Sequence, residues 1–251
     1  MKTYVYKSTD LGKTWSSLTT PEIDVYAYIV REDRINPDLL FLGTEFGLYI
    51  SINGGQSWSR FENNLPKASV QDLVVHPTTN ALVIGTHGRS IYILDDISAL
   101  RQLNKNVLAE TVHFFTTEPT ILRDPGAGTT WFGGDGNFVG ENPSSLAKIV
   151  YYMDKRHTFG KMSIEVYDQN DNLIRELPAG KSRGINVVEL TANYERPKAA
   201  PSQNPQALFG TIFGPNLPAV TYKVKLLKGK DEYMSSFTLK YPENSPYTLE
   251  D

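Results

Sequence analysis

Carboxylates are the first residues to consider for chemistry, because a glycoside hydrolase needs two of them flanking one cleft, roughly 5 to 9.5 Å apart. Asp95 and Asp96 are adjacent in the chain. Neighbours are not thereby such a pair, and they read as a solvated turn or a helix cap. Just upstream lie His87 and Arg89 in Gly85-Thr86-His87-Gly88-Arg89, and Glu45 takes the place of His87 in the earlier Gly43-Thr44-Glu45-Phe46-Gly47. Turns of this kind line one face of a stacked array, so Glu45, His87 and Arg89 form a candidate binding face; the plainer reading is a pair of tight turns. Hard oxygen ligands gather at Asp135-Gly136-Asn137 and Asp168-Gln169-Asn170-Asp171-Asn172. Neither completes a calcium-loop pattern, and the second reads better as a hairpin turn. No cofactor is expected, with calcium the one candidate. The four histidines, His76, His87, His113 and His157, lack the close spacing of a zinc site. No catalytic residue is assigned.

The pattern that organises these residues is a turn motif that occurs twice. Ser8-Thr9-Asp10-Leu11-Gly12-Lys13-Thr14-Trp15 is answered by Ser51-Ile52-Asn53-Gly54-Gly55-Gln56-Ser57-Trp58, with both serines and both tryptophans 43 positions apart. A repeat of that length implies a stacked or radial architecture. Ser8, Asp10, Ser51 and Asn53 can hydrogen-bond nearby backbone amides, Gly12 and Gly55 can take positive φ, and Trp15 and Trp58 can pack back on the strands. Asn53 stands where the first motif has Asp10. An amide oxygen accepts the same bonds, whereas a general acid or base would not survive the change.

Strands flank both motifs. Val25–Val30, Leu39–Gly43, Leu48–Ser51 and Ser57–Phe61 read as one set, and Val70–His76, Ala81–Gly85 and Ser90–Leu94 repeat its order, with the third motif replaced by Asp95-Asp96-Ile97. Ahead of the first motif there is room for one strand, Thr3–Lys7. This makes about two and a half blades of a β-propeller, which closes with about four to eight. The missing blades are expected from the rest of a larger protein or from other copies of the chain, since an open sheet edge is an aggregation template. Ile97–Leu103 reads as a short helix or an outer strand, and Thr111–Phe115 as a strand. After the Gly-rich stretch 123–143, strands at Lys148–Met153, Lys161–Asp168, Asn172–Leu177, Ile185–Leu190, Thr221–Lys228 and Tyr233–Lys240 suggest an antiparallel sandwich of immunoglobulin or fibronectin-III type. The expected division is thus 1–103 partial propeller, 104–145 connecting segment, 146–242 sandwich and 243–251 tail.

Composition agrees with an all-β chain of two domains: 251 residues, 40% hydrophobic, with 19 Gly and 15 Pro to serve many turns. The net charge of −3 and the lack of a basic cluster argue against nucleic acid, and no stretch is long enough to span a bilayer. Zero cysteines exclude disulfides. Trp131 and Phe132, Tyr151-Tyr152, and Tyr26 with Tyr28 are aromatics that could stack on sugar rings, although strand aromatics are more often core. The proline-rich 196–218 is long for a sandwich connection and reads as an edge cover or a partner-binding arm.

The Ser-x-Asp-x-Gly-x-Thr/Ser-Trp pattern resembles the Asp-box of bacterial-neuraminidase-type (BNR) repeats, found on propeller blades of sialidases, xyloglucan hydrolases and sortilin-like proteins. The run Gly85–Ile97, then Phe138-Val139-Gly140-Glu141-Asn142-Pro143, then Ile164–Asp168 with Leu173–Leu177, resembles the C-terminal part of bacterial sortilin-like proteins, in which the last blade runs into an immunoglobulin-like sandwich. The resemblance implies an exported protein, periplasmic, cell-surface or secreted. It also implies a noncatalytic scaffold that binds protein or glycan. The accessory part of a glycoside hydrolase whose active site lies upstream, and a sortilin-like peptide receptor, are the alternatives.

Overall fold

The computed structural model describes residues 3–122, 144–195, 214–243 and 245. Trp131, Phe132, Asp135-Gly136-Asn137, the run Phe138–Pro143 and most of the proline-rich stretch lie outside the described residues. Among the described residues the chain is all-β with two short helices, and it divides into two units, Met1–Ala109 and Glu110–Asp251.

In the first unit, β1 (Tyr6–Lys7) and β2 (Ser16–Ser17) form a two-stranded sheet. β3 (Ala27–Glu32), β4 (Leu40–Thr44), β5 (Gly47–Ser51) and β6 (Ser59–Phe61) form a four-stranded antiparallel sheet in chain order. β7 (Val70–Val75), β8 (Leu82–Thr86) and β9 (Ile91–Leu94) form a three-stranded one, followed by α1 (Ser98–Gln102) and α2 (Lys105–Ala109). Residues 97–103 therefore resolve as a helix. Asp96 Oδ1 accepts the Ser98 N–H at 2.8 Å, but the N-cap position is Ile97 and carries no side-chain cap bond, so Asp96 closes the turn ahead of the helix rather than capping it.

Every residue of β4 and β5 is buried. Successive strand residues point to opposite faces, so total burial means that both faces of the middle sheet are covered. Phe41, Leu48 and Ile50 share one cluster with Leu73, Leu82 and Ile84 of the third sheet. Leu42, Tyr49 and Trp58 share another with Val5 and Ile23. The sheets approach closely at Gly43, where a Cβ would stand 2.7 Å from the Val70 carbonyl oxygen.

In the second unit, β10 (Val112–Phe114), β12 (Ala147–Met153) and β15 (Gly184–Leu190) make one antiparallel sheet. A second sheet runs β11 (Thr120–Ile121), β17 (Asp231–Lys240), β16 (Thr221–Lys228), β13 (Met162–Tyr167), β14 (Leu173–Pro178). Ile149, Tyr151 and Met153 of the first sheet share one buried cluster with Ile164, Val224 and Phe237 of the second. Two features depart from expectation. The stretch 104–145, read as a connection with one strand at Thr111–Phe115, holds that strand as β10 and also contains α2 and β11. β11 pairs with β17 in parallel, Thr120 with Leu239, because it belongs to a distant edge rather than to a hairpin.

Candidate functional site

The two turn motifs have the same bonds. Ser8 Oγ donates to Asp10 Oδ1 at 2.9 Å and accepts the Gly12 N–H at 2.8 Å; Ser51 Oγ donates to Asn53 Oδ1 at 2.9 Å and accepts the Gly55 N–H at 2.9 Å. Asp10 Oδ1 accepts the Thr14 N–H at 2.9 Å, and Asn53 Oδ1 accepts the Ser57 N–H at 3.0 Å. Only the last bond reverses. The Thr14 hydroxyl donates to Asp10 Oδ2 at 2.7 Å, whereas Asn53 Nδ2 donates to Ser57 Oγ at 2.8 Å. A rotatable hydroxyl permits either direction, which is why Asp and Asn are interchangeable here. The Thr14 N–H and hydroxyl hold the Asp10 carboxyl down at about 2.

The tryptophans part company. Trp58 is buried and its Nε1–H reaches the Leu18 carbonyl at 2.9 Å, 40 residues back in the chain. Gly55 sits against the same residue: at φ +87°, a Cβ there would come 2.9 Å from Leu18 Cδ1. Trp15 is exposed and its Nε1–H turns onto Gly12 O of its own motif at 3.1 Å. The expected packing of Trp15 on its strands is absent because the side chain has no neighbouring sheet of the kind that receives Trp58.

Glu45 and His87 occupy matching turns. The Glu45 N–H bonds Tyr26 O at 2.9 Å and the His87 N–H bonds Ser69 O at 2.8 Å, so both backbones close equivalent corners of consecutive sheets. His87 and Arg89 are exposed and Glu45 half-buried. Among the described residues no hydrogen bond or ion pair joins the three side chains. Asp168 spends its oxygens on the hairpin, accepting Asn170 N–H and Asn172 N–H at 2.8 Å each and Asn172 Nδ2 at 2.8 Å. No group of three His, Cys, Asp or Glu able to hold a metal occurs among the described residues. Tyr151 and Tyr152 are core, while Tyr26 and Tyr28 are exposed.

Two arrangements escaped the sequence reading. Arg101 Nε and Nη2 each donate to Asp33 at 2.9 Å, Arg101 Nη1 reaches Asn80 Oδ1, and Asn36 Nδ2 donates to the Arg101 carbonyl at 2.8 Å. Burial pushes the Asp33 carboxyl up, and the Arg101 guanidinium with the Asn36 and Ile35 N–H groups outweighs it, leaving the group below its ordinary range. Arg101 lies 43 positions after Trp58, but the repeat does not point to Asp33, and no local motif marks the pair. The second is an open hollow of about 420 Å³ in the second unit, lined by Asp154, Lys155, Arg156, His157, Phe159 and Lys228 among others. Among the described residues Lys155, Arg156 and Lys228 form no ion pair, Phe159 is almost fully exposed, and His157 Nε2 is buried without a partner. The hollow draws on β16 as well as the β12–β13 loop, so no local motif marks it.

Short antiparallel sheets, stacked face on face and punctuated by one turn motif at a fixed interval, define a propeller-type repeat protein. The Sortilin-Vps10 family (sortilin, neurotensin receptor 3) matches residues 3–170, and the chain belongs to that family. No curated protein sequence gives a significant match. A solved structure of a Salmonella alpha-2-macroglobulin mutant is similar at 12% identity over 83% of this chain and 12% of that chain, with a TM-score of 0.28. No helix among the described residues is long and apolar enough to cross a membrane.

Proposed function

We propose that the chain is a noncatalytic scaffold and interaction portion of a larger exported Asp-box propeller protein, binding protein or glycan. The observation that carries this reading is how the motif oxygens are spent. Ser8, Asp10, Ser51 and Asn53 bond within their own turns, and a carboxyl held at about 2 has no proton to give at neutral pH. Sheets of two, four and three strands read as about two and a half blades, completed by further sheets of the same kind. An immunoglobulin-like sandwich in the second unit is supported by two sheets over one core. It is also supported by Tyr222, near the start of β16, whose hydroxyl bonds back to Pro218 O at 2.8 Å as a tyrosine corner does.

Of the ligand classes, an acidic glycan or peptide suits the hollow at 154–159, where unpaired cations stand beside an exposed ring. A sortilin-like peptide receptor is the second reading, favoured by the family match. An accessory part of a glycoside hydrolase whose active site lies upstream is the third. The test incubates the whole chain with aryl glycosides and, separately, with panels of acidic and neutral glycans and peptides. No turnover is expected, with acidic ligands retained and lost in Lys155→Ala/Arg156→Ala. Turnover abolished by an acid-to-amide change would overturn the noncatalytic reading.

A further inference from the structure

We infer that one end of the second unit is a binding site for a polyanionic glycan, a chain of sugars with repeated carboxylate or sulfate groups, built from three loops rather than from the hollow alone. Strand pairing brings the loops together. Met153 pairs with Gly184, which sets the start of β15 beside the end of β12, and Met162 pairs with Lys228, which sets the end of β16 beside the start of β13. The β12–β13 loop, the β14–β15 loop and the β16–β17 turn therefore share one end of the unit. Lys181 ties the first two: its carbonyl accepts the His157 N–H at 3.0 Å, and its Nζ donates to Gly160 O at 2.9 Å.

Each loop, with the strand end that leads into it, brings two cations: Lys155 and Arg156, Lys181 and Arg183, Lys228 and Lys230. All but Lys228 are exposed, and among the described residues none of them enters an ion pair, whereas Lys161 is already matched by Glu176 at 2.6 Å. Asp154 and Asp231 lie on the same segments, so positive charge stays in excess there although the whole chain carries a net charge of −3. Such a concentration of one sign attracts a partner of the other. That partner reaches beyond the hollow, because Arg183 and Lys230 lie outside its lining. Within the hollow, His157 Nε2 is buried without a protein partner, an atom left for a ligand hydroxyl or acid oxygen, and Phe159 is 88% exposed beside the cations. One flat apolar ring among cations suits the face of a sugar whose acid groups lie at its rim. Single-stranded nucleic acid stacks successive bases on several rings, and these loops expose only Phe159. An acidic peptide would gain most from an open strand edge, which loops do not present. A polymer of acidic sugars engages all three loops at once, and each added contact raises its effective affinity.

The inference rests on the proposed reading of the hollow as an acidic-ligand site, and the two can fail separately. The whole chain is titrated with polygalacturonate and heparin, with the disaccharide unit of each, and with neutral dextran as the blank. At least one polymer should bind about tenfold or more tighter than its disaccharide, and its affinity should fall steeply as salt rises. Arg183→Glu/Lys230→Glu, at two exposed positions outside the hollow, should cost the polymer about tenfold or more and leave the disaccharide as it was. Arg183→Gln/Lys230→Gln should act in the same direction by less, and Lys155→Ala/Arg156→Ala should weaken both ligands. A polymer bound no tighter than its disaccharide, or indifferent to Arg183→Glu/Lys230→Glu, would overturn the three-loop site and leave the hollow as the whole acidic-ligand site. Binding of none of the four acidic ligands would overturn the inference together with the acidic reading of the hollow. Poly-L-glutamate, a single-stranded oligonucleotide or phosphatidylglycerol vesicles held more tightly than both polymers would overturn the choice of a glycan.

Discussion

Arg101 grips both carboxylate oxygens of Asp33 at 2.9 Å each, across 68 positions of sequence. The Asp33 side chain has no exposure and that of Arg101 only 10%. Because Asp33 precedes β4 and Arg101 lies in α1, the pair ties the end of the repeat array back to its middle sheet. A buried pair is weak evidence of net stabilisation, but removing one partner leaves an uncompensated charge. Arg101→Ala or Asp33→Ala should therefore destabilise the first unit by about 3–5 kcal/mol, read from its transition in urea. The double change Asp33→Ala/Arg101→Leu should recover a large part of that loss. Single variants that unfold with the wild type would mean that water solvates the pair.

The same pair sets a pH dependence. The folded Asp33 carboxyl lies below its ordinary value, so the native state releases this proton more readily than the unfolded chain does. Its contribution is fully present above the unfolded pKa of about 3.9 and is lost as pH falls through the folded value. The stability advantage of the wild type over Asp33→Ala/Arg101→Leu should shrink steadily below about pH 4. Parallel curves for the two proteins would remove Asp33 as the cause.

Alternation and turn chemistry are local properties, and what depended on them was legible in the sequence. Leu82–Thr86 was placed within one residue and Thr221–Lys228 at its full length, and the turn bonds of Ser51 and Asn53 follow from residue types alone. What depended on a distant neighbour was not. Nothing near Asp33 announces Arg101, and nothing near Thr120 announces Leu239. Trp15 and Trp58 look alike in sequence and differ only in whether another sheet stands beside them. The hollow around Arg156 needs Lys228, brought from another strand, to become basic on both sides.

That difference between the tryptophans is measurable. Trp58 contributes a buried indole and a bond to Leu18, so Trp58→Ala should cost the first unit about 3–5 kcal/mol. Trp15→Ala, at an exposed position, should stay within about 1 kcal/mol. Equal losses would show that the exposed indole packs in solution.

Gly43 reports on sheet spacing. A methyl there would meet Ile29 Cγ2 and the Val70 carbonyl oxygen at 2.7 Å each, and the second is backbone that cannot rotate away. Gly43→Ala should therefore destabilise by about 1–3 kcal/mol through overpacking, despite the lower conformational entropy of the unfolded chain. Gly88, in the turn beside His87, has open space around it but a φ of +73°, so Gly88→Ala should be destabilising through backbone strain alone. Denaturation with hydrogen exchange separates the two: loss of protection should spread to β4 and β7 for Gly43→Ala and stay at the β8–β9 turn for Gly88→Ala.

The turn motifs bear most directly on function. If Asp10 serves only its turn, Asp10→Asn should be nearly neutral, because Asn53 performs the same bonding one repeat later with its amide donating to Ser57. Asn53→Asp should be equally mild, the Ser57 hydroxyl reversing to donate as the Thr14 hydroxyl does to Asp10. Asp10→Ala and Asn53→Ala should each lower the melting temperature more than the acid–amide exchanges do, since the Thr14 and Ser57 N–H groups lose their acceptors. A catalytic or cation-binding carboxylate predicts the opposite order: Asp10→Asn would then abolish turnover or ligand binding while leaving the melting temperature untouched. Measuring melting temperature and ligand binding on the same four variants decides between a carboxylate that builds a turn and one that does chemistry.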